Sequence, residues 1–197
     1  MKNPLPLVSL VRAVSLAAVS VLAVSACSSM GSSSNPSMAM TKAFSQDALP
    51  DAVKVPAGNK VALETVGVGE ITYECRAKAC AAGAFEWVFV GPQADLNSRS
   101  GTKLGTYFGP PATWAASDGS KVTGAQVGVA AGSAGNIPLQ LVKANPAQGT
   151  GAMTGVTFIQ RVATKGGVAP AMECGSGSVG RKENVNYQAD YIIWKAS

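Results

Sequence analysis

The chain has 197 residues, a formal charge of +5 and no histidine. That length suits one domain behind a leader. The missing histidine excludes Ser-His-Asp and Cys-His nucleophile sets and every His-bearing zinc site, and the scattered charges lack the basic stripe of a nucleic-acid face.

The first element is a leader. Lys2 and Arg12 give it a positive start, and residues 13–26 carry no charge. The apolar run is short for a spanning helix and fits an export signal. It ends in Leu22-Ala23-Val24-Ser25-Ala26-Cys27, which resembles the lipobox of bacterial lipoproteins. The resemblance implies cleavage before Cys27, acylation of that cysteine and, with Ser28 next, an outer-membrane address. A multi-chain lipid anchors firmly where one chain does not. The alternative is an ordinary secretory signal with Cys27 incidental. On the lipoprotein reading, 1–26 is the signal peptide, 27–48 a Ser- and Met-rich tether and 49–197 the folded domain. The tether has no apolar periodicity. Its Met30, Met38 and Met40 are too irregularly spaced for a soft-metal site.

From residue 49 the runs are short, rich in Val, Ile, Thr and aromatics, and broken by Gly, Pro, Asn and Asp. Strands are predicted at 60–66, 70–76, 85–90, 104–108, 121–129, 137–142, 155–163 and 187–194. Alternation puts Ile71, Tyr73 and Cys75 on one face. Phe85, Trp87 and Phe89 share another, and Ile159 and Arg161 lie opposite Val156, Phe158 and Val162. Asp118-Gly119 marks a tight turn. The expected fold is all-β, an antiparallel sandwich or barrel.

Four pieces carry a family resemblance over about 66–194. They are Ile71-Thr72-Tyr73-Glu74-Cys75 with Glu86-Trp87-Val88-Phe89, and Pro92-Gln93-Ala94-Asp95-Leu96. Then come Gly109-Pro110 through Trp114 with Asp118-Gly119-Ser120-Lys121-Val122. The most specific is the run from Val156-Thr157-Phe158-Ile159-Gln160-Arg161-Val162 to Pro170, ending at Cys174. Together they resemble domain of unknown function family 3455, found in exported bacterial and fungal proteins. Thr106 stands where that pattern often has histidine, and Gln93 where it has glutamate. The family implies no activity to carry over.

The family pattern shares Cys75 and Cys174, and the resemblance implies a disulfide between them, favoured by an oxidising compartment. Cys75–Cys80 is the rival pairing, and sequence alone does not choose. Gly175-Ser176-Gly177-Ser178-Val179-Gly180 has the letters of a dinucleotide fingerprint but lacks the strand-to-helix setting, so it reads as loop. Arg161 is expected to be a structural ion pair with Glu74, Glu86 or Asp95, with an anion clamp as the alternative. Trp87 reads as core. Tyr107, Phe108 and Trp114 flank the rigid Gly109-Pro110-Pro111 loop and, with Arg161, are the candidate ligand residues.

No catalytic set, metal site or cofactor motif is complete. Ser120-Lys121 is adjacent rather than at Ser-x-x-Lys spacing. The expected function is therefore a lipid-anchored envelope protein that binds a glycan, small ligand or envelope protein, or is structural. The alternative is a histidine-free enzyme using carboxylates and Arg161.

Overall fold

The longest strand, β1 (Asn59–Ala77), runs straight through a stretch with two inward glycines. The computed structural model describes residues 43–197. The lipobox, Cys27 and most of the expected tether lie outside the described residues. β1 is followed by β2 (Phe85–Asn97), β3 (Lys103–Phe108), β4 (Thr113–Ala116), β5 (Lys121–Ala130), β6 (Leu139–Ala144), β7 (Val156–Gly166) and β8 (Lys182–Ala196). Each strand pairs antiparallel with the next, and β8 returns to β1, which closes an eight-stranded barrel. Of the two architectures expected, the barrel is the one formed. Closure leaves no sheet edge along most of the wall.

Two predicted strands merge and one was missed. The runs at 60–66 and 70–76 are both parts of β1, because Gly67 and Gly69 do not break it. An ideal Cβ at Gly67 would lie 2.5 Å from Tyr191 Cε2, so glycine there makes room for a ring inside the barrel. β4 is only four residues long and too short to show a period. Its pairing with β5 ends at Thr113 against Thr123. Beyond it lie Ala112, Pro111 and Pro110, and proline has no N–H for a ladder.

The strand period sorts side chains into two layers. Ile71, Tyr73, Leu96, Tyr107, Trp114, Val122, Val142, Ile159, Tyr187, Tyr191 and Ile193 fill the interior. Val162, Leu141, Ile192 and Trp194 face outward and form a second cluster with Val53 and Val55. A register shift between Val156 and Phe158 moves Val156 into the interior layer and leaves Phe158 outside. That overturns the shared face expected for those two residues.

The outer cluster is covered by the segment ahead of β1. Phe44 stands edge-on to Trp194 at 6.2 Å. Gln46 and Val55 exchange hydrogen bonds of 2.9 and 2.8 Å. Gln160, fully buried on β7, donates to Val53 O at 2.6 Å and accepts from Trp194 Nε1 at 2.8 Å. Packing therefore begins at Phe44, ahead of the expected boundary at residue 49.

One end of the barrel carries the Cys75–Cys174 disulfide, which joins residues 99 apart in sequence. Cys80 is free and exposed. The same end holds the 109–112 and 131–138 loops. From the second loop Ile137 reaches into the interior core.

Candidate functional site

Arg161 is paired with Tyr191 across β7 and β8, and with Gln140 across β6 and β7. Paired residues in an antiparallel ladder share a face. Tyr191 belongs to the interior, so Arg161 faces inward as well. Its Nε and Nη2 donate to Pro138 O at 3.2 and 3.0 Å. The side chain is half-buried.

The expected ion pair of Arg161 does not form. Glu74 pairs with Arg76 and Lys182, Glu86 with Lys78, and Asp95 with Lys103. These acids face outward, whereas Arg161 faces in, and no ion pair to Arg161 occurs among the described residues. Strand parity decides the matter, because the wall of the barrel separates the two sets.

Phenols surround the cation instead. The chain has four tyrosines, and Tyr73, Tyr107, Tyr187 and Tyr191 all belong to the interior. Tyr73 donates to Gly167 O at 2.7 Å. The hydroxyls of Tyr187 and Tyr191 lie 3.1 Å apart. Tyr107 stacks on Trp114 at 4.7 Å and tilts against Tyr191 at 4.9 Å. Burial pushes all four phenols above the usual tyrosine range, and the Arg161 charge pulls each of them partly back.

Two groups in this interior lack partners among the described residues. Trp114 Nε1 is enclosed and makes no hydrogen bond. The Tyr107 hydroxyl makes no hydrogen bond among the described residues either, and its ring is almost fully buried. The indole N–H and the Arg161 guanidinium only donate, and the phenol can donate as well as accept, so the set can serve an acceptor, above all an anion.

Two glutamines extend the row. Gln140 lies beside Arg161 on the inward face of β6, and its Nε2 donates to Gln126 Oε1 at 2.6 Å. Gln126 is exposed where β5 runs past the end of β4. The mouth is rimmed by Phe89 and Val129. Phe89 pairs with Tyr73 and Val129 with Gln140, so both point inward, and both stay about half exposed, at 51% and 48%.

The structure brings together three of the four candidate ligand residues. Tyr107, Trp114 and Arg161 share the interior. Phe108 points outward and is exposed, so the platform expected around the Pro110-Pro111 loop does not form. The glutamine row and the inward rim escaped the sequence reading. The signal for them was parity within β2, β5 and β6, which needs the strand register to read.

A family model described as Protein of unknown function (DUF3455) matches residues 56–195. The chain belongs to the DUF3455 family. The match spans nearly the whole of the eight-stranded barrel of this DUF3455 protein, including Arg161 and both bridged cysteines. No curated protein and no solved structure matches the chain. Thr106, where the family resemblance implied histidine, pairs with Asp95 on the outer face, away from Arg161.

Proposed function

We propose that this DUF3455 protein is a lipid-anchored envelope protein that binds a small anionic ligand in the mouth of its barrel. The carrying observation is Arg161, an inward guanidinium with no acid at its side among the described residues and every tyrosine of the chain around it. A buried charge is costly unless something complements it. Pro138 O accepts two of its hydrogen bonds but brings no charge. A guanidinium presents five donors in a fork that matches a carboxylate or phosphate.

Binding is favoured over catalysis. A histidine-free enzyme of the expected kind needs a carboxylate beside Arg161, and the acids expected there face outward with other cations. Anchoring rests on the lipobox-like segment ending at Cys27, which gives the domain its place at the membrane and faces it to the periplasm or the cell surface.

Calorimetric titration with acetate, phosphate and sulfate tests the site, with Arg161→Gln as control. At least one anion is expected to bind the native protein and to lose affinity tenfold or more in the variant. Equal affinities in the two proteins refute the site. Radiolabelled palmitate entering the native chain but not Cys27→Ser tests the anchor.

A further inference from the structure

We infer that the ligand of this mouth is a carboxylate borne on an apolar body, with its charged end at Arg161 and its body against Phe89 and Val129. This rests on the anion-site reading above and names the class of ligand.

The inference comes from how the mouth is layered. Its floor is polar: Arg161, Gln140 and Gln126 stand on the inward faces of three adjacent strands, with the Tyr107 hydroxyl among the phenols. Its rim is apolar. Phe89 is inward by its pairing with Tyr73 and meets that ring edge-on at 6.2 Å, so its outer part faces open space. Val129 is inward by its pairing with Gln140. Inward residues of a closed barrel are normally covered, and these two large side chains remain about half exposed. A ligand that covers them removes apolar area from water, and a bare inorganic anion cannot.

The floor also chooses between anions. Its one cation among the described residues, Arg161, is flanked by neutral amides and phenols. One guanidinium balances one carboxylate in a bidentate pair. A doubly charged phosphate would leave a charge unbalanced in a half-buried site.

Calorimetric titration of the native protein with acetate, butyrate, hexanoate, phenylacetate and hexanol tests this. Affinity is expected to rise from acetate to hexanoate, by up to about fourfold for each methylene covered. Hexanol, with the body but no charge, is expected to bind at least tenfold more weakly than hexanoate. Phe89→Ala and Val129→Ala lie at the rim, so the fold tolerates them. Each is expected to flatten the dependence on chain length.

The arms separate the failures. Acetate binding as tightly as hexanoate, with Arg161→Gln abolishing both, overturns the apolar body and leaves the anion site standing. A chain-length dependence untouched by both rim variants overturns the placement of the body. No Arg161-dependent binding of any acid removes the anion site itself. Preference for phenylacetate over hexanoate, or the reverse, tells an aromatic acid from an acyl chain as the natural source.

Discussion

Arg161 on β7 and Tyr191 on β8 sit directly across from each other on the inner wall of the barrel. A guanidinium therefore shares its surroundings with a phenol that is 0% exposed. Burial of the phenols sets the pH behaviour of the fold, and the Arg161 charge partly opposes it. All four tyrosines hold their protons above the usual range, chiefly through burial. In the unfolded chain they ionise near pH 10. Above that pH the unfolded state binds fewer protons than the native state, so stability falls as pH rises. Below it the contribution is complete. Urea unfolding midpoints are expected to be level from pH 7 to 9 and to drop steeply above 10. Absorbance at 295 nm should show no phenolate while the chain stays folded. A native titration step near pH 10 would contradict the burial of these rings.

Trp114 and Phe108, two residues once grouped as one ligand platform, part company in stability. Trp114 is fully buried and stacks on Tyr107, whereas Phe108 is exposed. Trp114→Ala is expected to cost about 3–5 kcal/mol, the range for emptying a buried aromatic site. Phe108→Ala should stay within about 0.5 kcal/mol of the native protein. Denaturant titrations of the two variants give the comparison, and a cheap Trp114→Ala would place that ring outside the core.

Gln160 is the fully buried polar link between the barrel and the segment that covers it. It joins Trp194 Nε1 to Val53 O. Gln160→Ala leaves a donor and an acceptor unpaired under that cover. Each orphan costs about 1–3 kcal/mol, so a loss of about 2–6 kcal/mol is expected. Hydrogen exchange should speed up most in residues 43–58. An unchanged exchange pattern would mean that apolar contacts alone hold the cover.

The Cys75–Cys174 bridge closes a loop of 99 residues, the sequence separation of its ends. The chain-entropy model puts such a link at up to about 4.7 kcal/mol, and measured values run lower. Cys75→Ser with Cys174→Ser is expected to lower the urea midpoint clearly, while Cys80→Ser leaves it unchanged. Alkylation of the folded, non-reduced protein should label Cys80, the free and exposed thiol among the described residues.

Much of this was legible without coordinates because strand periodicity is local. The alternation of Ile71, Tyr73 and Cys75 named an interior face, and the barrel uses that face. Eight strands were expected and eight formed, although a glycine-spanned β1 replaced two runs and the short β4 was missed.

What the amino-acid sequence determined by itself was therefore local or compositional. It set the all-β class, the family, the exclusion of histidine chemistry and the two faces of most strands. Tertiary structure alone decided closure, register and company. Period two says that Arg161 and Ile159 share a face, but only the pairing with Tyr191 makes that face the interior. The acids expected beside Arg161 ended on the other side of the wall for the same reason. Which strands become neighbours depends on contacts between residues distant in the chain, and no local pattern records them.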